Sequence, residues 1–343
     1  MTELFTPVNL LTGCLGSGKT TLLQRLLADP ALADTAVLIN EFGEVGLDHH
    51  LLERIDDTMV LLQSGCLCCT IRGELSDALR DLYLRRAQGA IPPFRRVVVE
   101  STGLADPFPI LSTVHADPVL RHHFRLGNVI TTIDAVNAPA QLRRNKESIR
   151  QVAVADRLVL TKTDLADSAA LMDDIRAINP GAPVWRAADD ALDAAALLAH
   201  DVFELAGKSE AAQRWFAHET QAPAHAHHHE PNRHGTIRAF TLAFDAPLDW
   251  TLFGIWLTML LNRHGASVLR VKGILNVAGS EAPVAVHGVQ HLVHKPTHMA
   301  AWPDADRRSR LVFIVDGLDP GVLERSLRAF MGVPASVGLQ AAE

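Results

Sequence analysis

The chain has too few cysteines for a disulfide framework: four among 343 residues, three of them bunched as Cys66, Cys68 and Cys69, a usage that fits reduced intracellular thiols. It also has no apolar run long enough to cross a bilayer. The longest, residues 250–261, covers 12 positions, against the roughly 20 that a spanning helix needs. Basic residues are in deficit, with 32 Lys and Arg against 39 Asp and Glu and a formal charge of −7. A polyanion-binding surface needs a basic stripe, so no nucleic-acid partner is expected. Residues 1–7 carry Glu3 and no basic segment ahead of an apolar core, so no secretory leader is expected either. No internal repeat stands out. These absences predict a soluble cytoplasmic protein that does not engage a membrane.

What remains is ordinary globular composition, 48% hydrophobic and 21% charged, in a chain long enough for two cores. The predicted division is residues 1–220, a linker at 221–235 and a second domain at 236–343.

The most constrained stretch is Gly13-Cys14-Leu15-Gly16-Ser17-Gly18-Lys19-Thr20, which fills the G-x-x-x-x-G-K-[ST] pattern. Residues 8–11 before it read as a buried strand and residues 21–28 after it as a helix, the context the motif requires. Glycines let the backbone turn N–H groups onto phosphates, and the helix N-terminus adds partial positive charge at the same spot. Gly13, Gly16, Ser17, Gly18, Lys19, Thr20 and Thr21 are therefore candidate nucleotide contacts. Lys19 would reach the β/γ-phosphates, and the Thr20 hydroxyl would hold Mg²⁺.

Residues 36–40 read as a second buried strand, followed by the acidic loop Glu41-Phe42-Gly43-Glu44. Its carboxylates could touch Mg²⁺ or a second metal, with Glu44 the better candidate; a solvated loop is the alternative. A short apolar run at 60–62 leads into Gly65-Cys66-Leu67-Cys68-Cys69-Thr70-Ile71-Arg72-Gly73. In a strand, Cys66 and Cys68 would share one face and Cys69 the other, so a turn is needed to bring all three together. Thiolates are soft ligands that suit tetrahedral Zn²⁺, with Zn–S near ~2.3 Å, and three of them leave a fourth position open for another ligand or a client. A redox pair or plain buried cysteines are the alternatives.

Leu75, Leu79 and Leu82 recur at helical spacing and predict a helix over 74–88. The apolar strand at 97–99 ends in Glu100-Ser101-Thr102-Gly103. A carboxylate at the carboxyl end of such a strand sits where Mg²⁺ is held, and Gly103 could offer its N–H to a γ-phosphate. Lys19, Glu100 and Gly103 are the candidate catalytic residues. Arg72 is a further candidate, to act in cis on the developing charge.

Strands at 129–133 and 158–160 follow, the second ending in Thr161-Lys162-Thr163-Asp164. Asp164 is placed to accept both N–H groups of a guanine edge, which adenine cannot supply. Lys162 would lie along the base. Thr161 stands where the usual motif has Asn. A plain helix cap by Asp164 is the alternative. A strand at 183–186 and a helix at 191–205 complete a β/α alternation, predicting a mostly parallel sheet covered on both faces with ligands at the strands' carboxyl ends.

Residues 221–235 have no apolar period, two prolines and five histidines: His225, His227, His228, His229 and His234. This reads as a linker, either a bland spacer or an unselective metal scavenger. Beyond it, expected strands at 236–244, 267–277, 284–291 and 310–315 and helices at 249–264 and 320–330 make a small α+β domain on an antiparallel sheet. His287, His291, His294 and His298 in this part read as surface histidines.

Taken together, GCLGSGKT, NEFGEVGLD, GCLCC, ESTGLADP and TKTD, in that order and followed by a separate C-terminal domain, closely resemble the CobW/YjiA family of P-loop GTPases. The resemblance spans nearly the whole chain. It implies Mg²⁺-dependent, metal-responsive GTP hydrolysis coupled to handling Zn²⁺, or sometimes Co²⁺, for a client metalloprotein. It assigns phosphate binding to Gly16 through Thr20, switch roles to Glu44 and Glu100, metal transfer to Cys66, Cys68 and Cys69, and guanine to Lys162 and Asp164. Two positions depart from the pattern: Thr161 replaces the common Asn, and Ile39 lies where some relatives carry an additional acidic metal ligand. A metal buffer or sensor with a vestigial nucleotide site is the competing reading, and a small-molecule kinase a third. A homo-oligomer is left open.

Overall fold

A computed structural model describes residues 5–41, 59–63, 69–103, 106–189, 192–198 and 236–332. The chain divides into two units, Met1–Leu205 and Ala206–Glu343.

The first unit is built on seven strands: β1 (Thr6–Gly13), β2 (Thr35–Glu41), β3 (Met59–Gln63), β4 (Arg96–Glu100), β5 (Phe124–Asp134), β6 (Arg157–Thr161) and β7 (Val184–Arg186). Their order is β3-β2-β4-β1-β5-β6-β7, and every pairing is parallel. Strands buried on both faces must be apolar throughout, which is why Val97, Val98 and Val99 and likewise Leu158, Val159 and Leu160 are each at most 1% exposed. From β1 the chain winds outward to β2 and β3, returns through β4, and then builds β5 to β7 on the other side. The sense of winding reverses beside β1, the place where such sheets open a crevice at their carboxyl edge.

Helix α1 (Lys19–Leu27) lays Leu22, Leu23 and Leu26 on one face of the sheet, against Leu11, Val37, Val98, Ile130 and Val159. Ile39 is buried in the same cluster. Helix α2 (Cys69–Ala87) buries Leu75, Leu79 and Leu82 but begins five residues before the expected 74. The apolar period starts only at Leu75, and Gly73 reads as a break. Once nucleated, though, a helix extends at little cost through a preceding turn. Five shorter helices lie outside the expected elements: α3 (Phe108–Ala116), α4 (Leu120–His123), α5 (Ala138–Arg144), α6 (Lys146–Val154) and α7 (Ala169–Ile178). Of the helix expected over 191–205, the described part is α8 (Ala194–Leu198). The rest, and the linker at 221–235, lie outside the described residues.

The second unit is a sheet of β8 (Ile237–Phe244), β9 (Val268–Leu275), β10 (Val284–Val289), β11 (Leu292–Val293), β12 (Thr297–His298) and β13 (Ser309–Asp316), antiparallel throughout. Two helices cover one face. Helix α9 (Trp250–His264) is capped by Asp249, which accepts from the Leu252 amide, and helix α10 (Pro320–Met331) by Asp319, which accepts from the Val322 amide. Trp256 packs edge-on to Phe313 and donates its indole N–H to Ser326 Oγ at 3.0 Å, joining both helices to the sheet. One histidine departs from expectation. His287 is not on the surface but 7% exposed in β10, opposite Lys272 of β9, with its ring stacked on His294 at 4.2 Å. It alternates with Val284 and Val286, which pack into the helix-covered core, yet all six residues of β10 are buried, so the other face is covered too. The short β11 that precedes His294 is too brief to carry a period.

Candidate functional site

The glycine-rich loop leaves β1 at Gly13 and enters α1 at Lys19. Gly16 and Gly18 turn it with φ of 73° and 85°. Lys19 is 8% exposed and folds back on its own loop, its Nζ donating to the carbonyls of Gly13 and Cys14, both at 3.1 Å. Burial lowers the pKa of this ammonium below the ordinary lysine value, against the opposing pull of the Glu100 carboxylate and, after it, of Cys14. Ser17 Oγ shares a 2.6 Å hydrogen bond with Thr132 Oγ1 of β5. Thr21 is exposed on the outer side of α1.

Strand β4 delivers Glu100 to the same place. Its buried carboxylate accepts from Thr20 Oγ1 at 2.7 Å, so two hard oxygen donors from motifs 80 residues apart lie side by side. Ser101 fixes the turn after the strand, its amide donating to the Leu11 carbonyl and its hydroxyl to Thr12 Oγ1 at 2.8 Å. Gly103 then rests directly on the glycine-rich loop. A Cβ there would stand 2.3 Å from the Leu15 nitrogen and 2.5 Å from its Cα, backbone atoms with no room to yield.

Strand β6 brings Thr161 behind the loop. Its hydroxyl points to the carbonyls of Ser17, at 2.8 Å, and Ile133, at 3.3 Å. Lys162 takes a left-handed φ of 56° and donates from Nζ to Asp134 Oδ2 at 2.6 Å. Asp164 is exposed two residues on. Burial pushes the Asp134 carboxyl up, but Lys162, the Asn137 side chain and the Val136 and Asn137 amides all donate to it, and together they hold it below the usual carboxylate value.

Lys19, Thr20, Glu100, Gly103 and Thr161 thus converge at the carboxyl edge of the central strands. Glu44, Cys66 and Cys68 lie outside the described residues, and Cys69 and Arg72 fall on the first turn of α2. Among the described residues no group of three or more His, Cys, Asp or Glu gathers to hold a metal. Three contributors carry no motif. Asp134 stands at the end of its strand as Glu100 does, a position that could have marked it. Ser148 and Gln151 of α6 flank Cys14 Sγ at 3.0 and 3.8 Å, and Gln151 Nε2 also reaches the Gly103 carbonyl at 3.5 Å. They sit on a helix that no local pattern announces.

Residues 7–186 match the CobW/HypB/UreG nucleotide-binding domain and residues 237–331 match the cobalamin synthesis protein CobW C-terminal domain. The chain belongs to the CobW family. It is 34% identical over 308 residues to the zinc chaperone YjiA of Escherichia coli, covering 90% of this chain and 93% of that one. It is 28% identical over 358 residues to the zinc chaperone CobW of Pseudomonas aeruginosa, covering 94% and 90%. The crystal structure of zinc-bound YjiA GTPase from E. coli superposes with a TM-score of 0.68 at 28% identity, covering 95% of this chain and 99% of that one. The P-loop fold and the antiparallel C-terminal unit of this CobW family member are those of YjiA.

Proposed function

We propose that the protein is a GTP-hydrolysing metallochaperone that couples its nucleotide state to the binding of zinc and its delivery to a client metalloprotein. The observation that carries the nucleotide half is the 2.7 Å contact between Thr20 and Glu100, which joins the phosphate loop to the strand that follows the cysteine motif. The names of the relatives support zinc over cobalt as the metal carried.

In this reading Gly13, Gly16, Ser17 and Gly18 frame the phosphates. Lys19 exchanges the neutral carbonyls of Gly13 and Cys14 for the charged β- and γ-phosphate oxygens, a stronger set of acceptors. The Thr20 hydroxyl and Glu100 carboxylate are hard oxygen donors, a set that suits Mg²⁺ and would hold it. When bound there, Mg²⁺ would neutralise charge on the β- and γ-phosphates. Gly103, packed on Leu15, would present its N–H to the γ-phosphate, so that loss of the γ-phosphate is felt at once by the loop after β4. Asp164 would accept the paired N–H groups of guanine while the Lys162 stem lies along the base. Cys66, Cys68 and Cys69 would take the zinc as cargo, with Glu44 as a candidate fourth ligand. Their place between the phosphate loop and Glu100 would let hydrolysis alter their geometry.

Residues 1–220 would form the GTPase domain, 221–235 the linker and 236–343 the C-terminal domain. The site of action in this reading is the cytoplasm. No helix among the described residues is long and apolar enough to cross a membrane. Turnover of GTP and of ATP, each with and without stoichiometric Zn²⁺, tests the reading. GTP turnover that responds to Zn²⁺, with little turnover of ATP, is expected. Equal use of both nucleotides and indifference to Zn²⁺ would overturn it.

A further inference from the structure

We infer that Asp134 is a positioning residue for base recognition, acting through Lys162, so that the strength of nucleoside binding is set partly by a carboxylate that never touches the nucleotide. The inference rests on the base-reading role proposed for the loop after β6.

Asp134 closes β5 beside the start of that loop. It is paired with Thr161 across the ladder, and the Ala135 amide donates to the Thr161 carbonyl at 3.0 Å. Its side chain is 2% exposed and fully engaged. Oδ1 accepts from the Val136 and Asn137 amides at 2.9 and 3.3 Å, and Oδ2 accepts from Asn137 Nδ2 at 2.7 Å and Lys162 Nζ at 2.6 Å. Three of these donors belong to the turn directly after β5 and fix the carboxylate as a rigid acceptor. The fourth comes from a different strand's loop, 28 residues along the chain.

Lys162 needs such an anchor. It is one of two non-glycine residues with positive φ among the described residues, and that conformation costs an L-residue on the order of 1–2 kcal/mol. The turn it makes is closed by the Leu165 amide donating to the Lys162 carbonyl at 3.1 Å, which brackets Asp164 between the two. Lysine has a long flexible stem, and ordering it costs entropy unless something holds the ammonium. Asp134 holds it. With its charge committed there, Lys162 cannot reach a phosphate, and what it offers a ligand is its apolar stem, 36% of the side chain remaining exposed. An apolar stem held flat suits the face of a purine ring. Discrimination between guanine and adenine falls to Asp164, and strength of base contact to the Asp134–Lys162 pair.

The substitution D134N keeps an acceptor for the two backbone amides but removes the charge that holds Lys162. Binding of GDP, ADP and pyrophosphate is measured for the full chain as wild type, D134N, K162M and the double variant. The expected result is GDP binding weakened at least about tenfold in D134N, the effect of losing one charge-assisted contact. Pyrophosphate binding should be unchanged, and D134N should weaken GDP binding no further once Lys162 is methionine. Undiminished GDP binding by D134N overturns the inference, and so does equal weakening by D134N in both backgrounds or a parallel loss of pyrophosphate binding, which would mark a merely structural residue. Equal GDP and ADP affinity in the wild type would instead overturn the guanine reading. Asp134 would then be judged in the same way on whichever nucleoside diphosphate binds.

Discussion

The hydroxyl of Thr161 donates to the carbonyl oxygen of Ser17 across 2.8 Å, tying the end of β6 to the middle of the phosphate loop. Both groups are buried, and the threonine methyl closes the gap beside Gly18, where a Cβ would stand 3.4 Å from Thr161 Cγ2. The residue that replaces the common Asn of guanine-reading loops therefore faces backward, into the loop that would hold phosphate. It would link the two halves of the proposed nucleotide site through one buried hydrogen bond.

Replacing Thr161 by valine keeps the volume and removes the donor. The Ser17 carbonyl then loses a buried partner, at a cost of about 1–3 kcal/mol. We expect T161V to lower the denaturant midpoint accordingly and to weaken GDP and pyrophosphate alike, because the disturbed element is the glycine-rich loop, while T161S, which keeps the donor and loses only the methyl beside Gly18, keeps nucleotide affinity and loses a smaller share of stability. Denaturant melts and nucleotide titrations check this. A loss confined to GDP would show that Thr161 serves the base instead.

Gly103 admits no side chain without displacing Leu15. G103A should leave overall secondary structure intact by circular dichroism, since the residue sits in a turn at the sheet's edge, yet reduce GTP turnover by at least about tenfold, because displacement of reacting groups by even ~1 Å can cost more than that. Unaltered turnover in G103A would remove Gly103 from the machinery.

The sheet was legible because burial on both faces forces continuous apolar runs, as at Val97–Val99, and because the runs of β1, β4 and β6 lead straight into the motifs at residues 13–20, 100–103 and 161–164. The helices were less so. Helices α3 to α7 span four to ten residues, too few turns for a secure period, and the start of α2 is hidden behind Gly73. Within the site, Lys19, Thr20, Glu100 and Gly103 stand in recognisable patterns, whereas Thr132, Ser148 and Gln151 act through contacts spanning 115, 134 and 137 positions. No local pattern encodes such partners; the strand register that sets β5 beside β1, with α6 packed next to Cys14, creates them. His287 was misread for a related reason, since β10 is buried on both faces and nothing local in its sequence announces the second cover.

Acid stability should report on Asp134. Its pKa in the folded chain lies below the ordinary value of 3.8, so the unfolded chain binds the proton more readily. The stability it contributes is fully present above the unfolded pKa and is lost as pH falls through the lower folded one. Urea melts of wild type and D134N from neutral pH to about pH 3 should show a gap that is widest at neutral pH and narrows as pH falls below the unfolded carboxyl's value. A gap independent of pH would mean that the carboxylate's charge contributes nothing to folding.

The coupling of nucleotide to metal gives the most demanding prediction. If Cys66, Cys68 and Cys69 bind zinc as thiolates, binding must release protons, and affinity must rise with pH through the thiol range. If nucleotide state also changes their geometry, zinc affinity must differ between the GDP form and a form bound to a non-hydrolysable GTP analogue. Linkage then requires zinc to change the ratio of the two nucleotide affinities by the same factor, typically about 5 to 150. The five histidines of residues 221–235 would take up zinc as well and mask a modest change, so the comparison belongs in a full-length variant with all five replaced by serine. In that variant we expect one tight Zn²⁺ per chain, lost when Cys66, Cys68 and Cys69 are changed to serine, with GDP binding retained because the phosphate loop is untouched. Titration against a chelating indicator in both nucleotide states measures it. Identical zinc affinity in the two states would uncouple the metal from the nucleotide cycle, and undiminished affinity without the cysteines would place the metal elsewhere. Either result would leave Cys66, Cys68 and Cys69 without the transfer role proposed for them.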